Sequence, residues 1–352
     1  MDLSGFLPGE LKDWLQGEGE SSFRWKQIFD WVQSKCASSF DEMVNVPKSL
    51  REKMGESFAF PSLSLEKTED SADAETTKYL WKLSDGKLVE SVLISSGDRR
   101  TVCVSSQVGC PARCAFCASG KEGLFRNLSA GEIVEQVLQI HRQLSLKGEK
   151  VTHIVFMGMG EPLENYDNVV KTIKLLTHPL SLNLSARRIT VSTVGVVEGI
   201  EKLMHEEITV NLALSLHAPN QHLRKKIVPY SRKYEIEDIL KAVTLYSKKT
   251  KRDITYEYVL IQGINDGLDA ASQLGQLLKG QQCCVNLIPF NPVPGINLKR
   301  PEKGAVEAFR NTLTRAGIRC TWRYTKGKDI AAACGQLALK KTPPREEALI
   351  NL

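Results

Sequence analysis

The spacing of apolar positions divides this chain into three regimes. Up to about residue 60 it reads as helical: Phe23, Ile28, Phe29, Trp31 and Val32 form a rough stripe, and Phe40, Met43 and Val44 continue it. Pro47 predicts the start of a last short helix over 48–54. From Ser62 to Ser106 the period falls to two. The run 78–83 leads into Ser84, Asp85 and Gly86, a hairpin signal, and 88–94 follows as the return strand. Alternate side chains of a strand lie on opposite faces, so Leu88, Glu90, Val92 and Ile94 share one. Glu90 is then a carboxylate among apolar neighbours, which either pairs or has its pKa raised, as a catalytic base does. Across 100–106, Cys103 points with Thr101 and Ser105, opposite Val102 and Val104.

In the third regime, beyond Leu128, helix and strand alternate. Ser129 and Glu132 make a capping box that opens a helix running to about Leu146. Strands are expected at 151–157, 188–192, 209–216, 254–261, 284–288 and 319–324, and helices at 166–177, 197–205, 236–248, 268–278 and 302–316. Repeated βα units call for a parallel sheet or barrel. Counting the strand at Cys103, the expectation is an α/β fold whose core is a partial barrel of about six strands. The chain then divides into a helical accessory domain (1–60), a strand-rich extension (61–98), the barrel core (99–325) and a closing segment (326–352). Active sites of such barrels gather at the carboxyl ends of the strands.

Composition narrows the setting. Apolar residues make up 42% and charged residues 25% of 352, ordinary values for a globular protein. The apolar runs are too short to span a bilayer and no secretory segment opens the chain, so a cytoplasmic protein is expected. In a reducing compartment its nine cysteines read as metal ligands or catalytic thiols before disulfides. The net charge of +6 permits an anionic partner. It is concentrated: ten Lys or Arg against three acids between Gln221 and Arg252. Such a run is either a solvated face or a patch for an RNA backbone.

The chemistry centres on Cys110, Cys114 and Cys117, spaced C-x3-C-x2-C, with no cysteine beyond them before Cys283. A structural zinc site wants four protein ligands. Three thiolates on one loop fit a four-iron cluster with one iron left open. Other candidates fall at strand ends. Gly158-Met-Gly160-Glu161 lets backbone approach a ligand and offers a carboxylate to an ammonium group. Ser192 closes one strand. Asn211, Ala213, Ser215 and His217 form a polar face on a strand expected to be buried, and a ligand in the barrel mouth would supply their partners. Asn291 lies in a proline-rich turn, and Cys334 in a segment of small residues that packs close to the mouth.

Several stretches together resemble one family. They are Cys103-Val-Ser-Ser-Gln-Val-Gly-Cys110, the three-cysteine loop with Phe116 before its last member, Phe156-Met-Gly-Met-Gly-Glu-Pro-Leu, Ser215-Leu-His-Ala-Pro, Pro289-Phe-Asn-Pro-Val-Pro-Gly and Ala333-Cys-Gly-Gln-Leu. Phe23-Arg-Trp-Lys-Gln-Ile-Phe-Asp-Trp extends the match to the first domain. The chain is similar to the RlmN/Cfr family of radical S-adenosylmethionine (SAM) methyltransferases. One departure is Thr193-Val194, where that family often has Thr-Ser.

The resemblance implies a partial (β/α)6 radical SAM barrel with a small helical N-terminal accessory domain. It implies a 4Fe–4S cluster on Cys110, Cys114 and Cys117, and SAM, two per turnover, held by Gly160, Glu161, Ser192, Ser215, Leu216, His217 and Asn291. The implied substrates are 23S rRNA at adenine 2503 and tRNA at adenine 37. A reducing donor such as flavodoxin or ferredoxin and a monomeric state are implied too. In the implied reaction Cys334 takes a methyl group from SAM, and a radical from a second SAM activates it. The carbon unit adds to adenine C2, Glu90 removes the C2 proton, and Cys103 resolves the protein–RNA crosslink through a transient disulfide. The alternatives are methylation at C8, as in Cfr, giving antibiotic resistance, and a non-catalytic RNA-binding protein with a structural metal. The last predicts a colourless protein with one zinc in place of a brown one with about four irons.

Overall fold

The computed structural model describes residues 1–322 and 326–338. The expected end of the last strand at Tyr324 and the tail of the closing segment lie outside the described residues. Three helices build the first domain: α1 (Pro8–Gly17), α2 (Arg24–Phe29) and α3 (Lys48–Ser57). Three strands follow, β1 (Leu63–Asp70), β2 (Thr76–Leu83) and β3 (Leu88–Ser96). The core then runs β4 (Arg99–Cys103), β5 (Gln107–Gly109), β6 (Leu124–Asn127), α4 (Ala130–Ser145), β7 (His153–Phe156), α5 (Tyr166–Thr177), β8 (Ile189–Thr193), α6 (Val197–Leu203), β9 (Asn211–Ser215), α7 (Gln221–Ile227), α8 (Ile236–Thr250), β10 (Ile254–Leu260), α9 (Leu268–Leu277), β11 (Cys283–Pro289), α10 (Lys303–Arg315) and β12 (Arg319–Trp322).

One sheet carries the molecule, in the order β1-β2-β3-β4-β7-β8-β9-β10-β11-β12. From β4 to β12 every pairing is parallel, and β1 to β4 pair antiparallel. The parallel part is six βα units and one closing strand, the partial barrel expected. The hairpin at Gly86 forms as predicted, with φ +79° at that residue. The inner parallel strands are largely buried because helices cover one side and the barrel interior the other, while the edge strands β1 and β12 are more exposed. Trp81, Val89, Ile154, Val191, Leu212, Tyr256 and Leu287 are all almost wholly buried.

Two local features were not anticipated. β5 and β6 form a small separate sheet that closes the loop between them, where the Cys110 amide donates to the Gly123 carbonyl at 2.9 Å. α7 interrupts the basic run. In the first domain Ile28, Phe29, Val32 and Met43 are core as expected, whereas Phe23 (56% exposed) and Val44 (78%) face solvent. α2 ends at Phe29 and passes into a turn of π-helix, Asp30–Ser34. Among the described residues no helix is long and apolar enough to cross a membrane.

The first domain docks on α4 at close range. A Cβ added to Gly5 would sit 2.7 Å from the Gly131 amide nitrogen. Ser129 caps α4 as predicted, accepting from Glu132 N at 3.0 Å while Glu132 accepts from Ser129 N at 2.9 Å. One turn further on, the Ser4 hydroxyl donates to buried Glu135. Burial pushes the Glu135 carboxyl up to about 7 from 4.5, against the pull of Ser4 and Gln139. The native state thus holds this proton more tightly than the unfolded chain. Glu135 costs nothing below about pH 4.5 and weakens the fold as the pH climbs through 7. Glu135→Gln is expected to gain up to about 3 kcal/mol over the wild type at pH 8 and nothing near pH 4.5. Urea midpoints of the two proteins at both pH values check this.

Candidate active site

Two adjoining cavities open at the carboxyl ends of the parallel strands. The smaller, about 140 Å³, is walled by Cys110, Cys114, Cys117, Gly160, Glu161, Ser192, Ser215, His217, Glu257 and Asn291. The larger, about 430 Å³, is walled by Val92, Thr101, Cys103, Val155, Ser119 and Lys326 among others. Cys117, Met157, Gly158, Ile288, Asn291, Cys334 and Gly335 belong to both walls. Cys334 therefore stands on the partition, in reach of a ligand on either side.

The three loop cysteines converge on the smaller cavity. Burial pushes the Cys110 thiol up to about 12 and holds those of Cys114 and Cys117 above their usual range. Such thiols surrender their protons only to a metal that replaces the lost charge. Among the described residues no three donors close around a single ion. The donor set suits a 4Fe–4S cluster instead, whose thiolates each bind a different iron. The loop is held from outside by Ala115 N to Ile227 O (2.9 Å) and Ala118 N to Gly335 O (2.8 Å).

Gly160 and Glu161 come next. Gly160 has φ +111°, and a Cβ there would lie 2.7 Å from Ser106 Oγ, so only glycine fits. The Glu161 carboxylate accepts from the Val194 amide at 2.8 Å and the Leu163 amide at 3.0 Å. Burial nevertheless raises it to about 7. At the end of β8 and β9, Ser192 and Ser215 lie oxygen to oxygen at 3.3 Å. His217 adopts φ +60°, and its Nδ1 accepts from Val259 N at 3.1 Å, which places the ring proton on Nε2. Burial pulls its pKa down to about 3, so the ring is neutral. Phe116 packs edge-on against it, centroids 4.8 Å apart. Asn291 donates to the Cys334 carbonyl at 3.1 Å and accepts from Arg300 at 2.9 Å.

Two expected residues sit elsewhere. Leu216 walls neither cavity: its side chain is buried and its amide and carbonyl serve Glu257 O and Arg224 Nε at 3.1 Å each. Alternation along β9 turns it away from the face of Ser215 and His217. Glu90 is buried beside the larger cavity without walling it. Lys78 Nζ lies 3.6 Å from its Oε1, and the Ala338 amide donates to its Oε2 at 3.0 Å. Glu90 is thus paired, the first of the two outcomes open to a carboxylate on that face.

Asn211, on the polar face of β9, is met by protein at 2.7 Å (Arg187 O) and 3.2 Å (Arg252) rather than by a ligand. Glu257 was missed. It walls the smaller cavity, and Asn286 donates to its carboxylate at 2.8 Å. Its signal was legible as an acid in the otherwise apolar and aromatic run 254–261. Only part of the basic run faces outward. Arg224 is fully buried, Lys225 pairs with Glu235, Lys233 with Glu164, and Arg252 turns inward to Thr209 O.

A parallel partial barrel with three thiols and a Gly-Glu turn at its mouth defines a radical SAM protein. The Radical SAM superfamily model matches residues 104–272, and that of the ribosomal RNA large subunit methyltransferase N-terminal domain matches 1–59. The chain is 60% identical over 97% of its length, and 95% of the relative's, to a probable dual-specificity RNA methyltransferase RlmN 2 of Protochlamydia amoebophila. It is 47% identical to a probable RlmN of Caldicellulosiruptor saccharolyticus, over 95% of this chain and 96% of that one. A crystal structure of a radical SAM methyltransferase from Sphaerobacter thermophilus superposes with a TM-score of 0.94 at 43% identity, covering 96% of this chain and 99% of that one. The chain belongs to the RlmN family of radical SAM RNA methyltransferases. Enzymes of this kind use a 4Fe–4S cluster and SAM, with two SAM consumed per turnover.

Glu161 gives the site a measurable signature. On the expected assignment of Glu161 to the ammonium of SAM, the carboxylate must first lose its proton. Titration calorimetry on the iron-loaded protein is expected to show SAM affinity falling as the pH drops below about 7, by up to about tenfold per unit. Glu161→Gln is expected to bind weakly and without that dependence.

Proposed function

We propose that this enzyme methylates C2 of adenine in 23S rRNA and tRNA, with Cys334 carrying the one-carbon unit. The observation that supports this reading most is the position of Cys334 on the partition between the two cavities. A carrier must meet the methyl donor on one side and the base on the other. The smaller cavity suits SAM: Glu161 offers an acceptor for its ammonium, Ser192, Ser215 and Asn291 offer hydrogen-bonding groups, and Cys110, Cys114 and Cys117 hold the cluster. When bound, the cluster and SAM supply the electron, the hydrogen abstraction and the methyl group.

The larger cavity suits the extruded adenosine. Adenine C2 is electrophilic and resists direct transfer of a methyl cation, so the carbon arrives on sulfur. Cys334 first takes the methyl group as a thiolate. Its activated carbon, short of one hydrogen atom, bonds to C2 and joins protein to RNA, leaving a surplus electron that the bound cluster would take back. Glu90 takes the C2 proton. Cys103, on the wall of the same cavity, then attacks the Cys334 sulfur. The carbon keeps the electron pair of the broken C–S bond, takes up a proton and stays on the base as a methyl group, and the two sulfurs remain as a disulfide that a reductant reopens. A flavodoxin or ferredoxin serves as electron donor, and the chain acts as a monomer.

The RNA grip falls to the exposed residues of the basic run, Lys226, Arg232, Lys241, Lys248, Lys249 and Lys251, together with the first domain. There Lys35 lies 3.9 Å over the Trp31 ring and Lys12 5.1 Å over Trp25.

Mass spectrometry of the modified nucleoside tests the regiochemistry: 2-methyladenosine is expected, and an 8-methyl product overturns it. Cys334→Ala is expected to lose methylation while keeping iron and SAM binding; continued turnover would refute the carrier role. Cys103→Ala is expected to accumulate a covalent RNA adduct on denaturing gels, and a fully active, adduct-free variant removes Cys103 from the reaction.

A further inference from the structure

Arg224 is fully buried, and nothing in the resemblance gave it a part. α7 carries it to the underside of the strand ends. Its Nε donates to the Leu216 carbonyl at 3.1 Å, and its Nη2 to the carbonyls of Val194 and, at 3.2 Å, Ser215. Nη1 has no hydrogen-bond partner, and among the described residues no carboxylate forms an ion pair with the group. Three neutral carbonyls fix the guanidinium in place without cancelling its charge. Burial lowers its pKa to about 10, which leaves it cationic at neutral pH.

An uncompensated buried cation is expensive, so the fold has to gain from it elsewhere. The groups that feel the charge are Cys114, Glu161 and His217. The same helix also supports the cluster loop, through the Ile227 carbonyl that accepts from Ala115 N at 2.9 Å. One short helix thus delivers a backbone anchor and a fixed positive charge to the back of one cysteine.

We propose that Arg224 is a positioning residue that sets the reduction potential of the cluster, by holding a permanent cation behind Cys114. The proposal rests on the reading that Cys110, Cys114 and Cys117 ligate the cluster. Reduction adds one negative charge to the cluster. A cation in a low-dielectric surround stabilises the reduced form more than the oxidised one and raises the potential. That brings the electron within reach of a physiological donor.

Anaerobic redox titration of the iron-loaded full chain, followed by electron paramagnetic resonance, tests this in wild type, Arg224→Gln and Arg224→Lys. Glutamine keeps donors for the strand-end carbonyls and loses the charge. At a fixed potential its ratio of reduced to oxidised cluster is expected to fall about tenfold, equal to about 59 mV for one electron. Lysine keeps the charge and is expected to stay within about threefold of wild type. Unchanged potentials in Arg224→Gln, or equal shifts in both variants, overturn the assignment. A folded Arg224→Gln that takes up no iron overturns it as well, and leaves the residue a strut for the loop. Failure of the cysteine reading shows differently: Cys114→Ala would then retain its iron.

Discussion

The site depends on where thirteen irregular residues, 326–338, are held. They form neither strand nor long helix, so their place is fixed by hydrogen bonds to parts of the fold that are themselves rigid. Lys78 on β2 donates to the Ile330 carbonyl, the cluster loop contributes Ala118 N to Gly335 O at 2.8 Å and Ser119 Oγ to Leu337 O at 2.6 Å, and the proline-rich turn contributes Asn291 to Cys334 O at 3.1 Å. Gln336 returns a bond to Pro292 O at 2.9 Å. Three separate elements are thus tied together around Cys334, which faces both cavities. Each net bond is worth about 1 kcal/mol. Together they hold the segment while leaving individual ones cheap to exchange.

Much of this architecture was legible because a parallel barrel makes sequence position informative. Each strand ends at the same layer, so a motif that follows a predicted strand is a motif at the mouth. That logic placed Gly160, Glu161, Ser192, Ser215, His217 and Asn291 in one region before any coordinates, and alternation along β9 separates Leu216 from its neighbours. What was not legible depends on burial. A run of basic residues looks the same whether its side chains point outward or, like Arg224, inward. Val44 and Phe23 are apolar but exposed because both lie outside the helices, Phe23 just ahead of α2 and Val44 in the turn before α3. Glu257 was legible as a lone acid in its strand, but its neighbours Tyr256 and Tyr258 are core, and the strand alone does not say that the carboxylate meets a cavity.

The buried charges share one cause. A cavity meant for a charged cofactor cannot be lined with apolar groups alone, and ionisable side chains placed there in its absence are pushed toward neutrality. Glu161 rises to about 7 and His217 falls to about 3, both chiefly through burial. His217 serves as a neutral hydrogen-bonding ring. On the proposed assignment, Glu161 is poised so that an arriving cation completes it. Its two backbone donors, Val194 and Leu163, keep it oriented meanwhile, so little reorganisation is needed on binding.

On the proposed route, the shared wall also accounts for dividing the chemistry between two cysteines instead of one. Cys334 lies on the segment that lines both cavities, whereas Cys103 ends β4, a strand fixed between β3 and β7, and lines only the larger cavity. A single thiol could accept a methyl group, but nothing would then detach it from a carbon bonded to the base. The second thiol must stand on the substrate side, immobile, and must stay clear of the cofactor so that it is not methylated in turn. Anchoring it in the sheet meets both demands, while the carrier sits on the less regular segment whose hydrogen bonds can be exchanged.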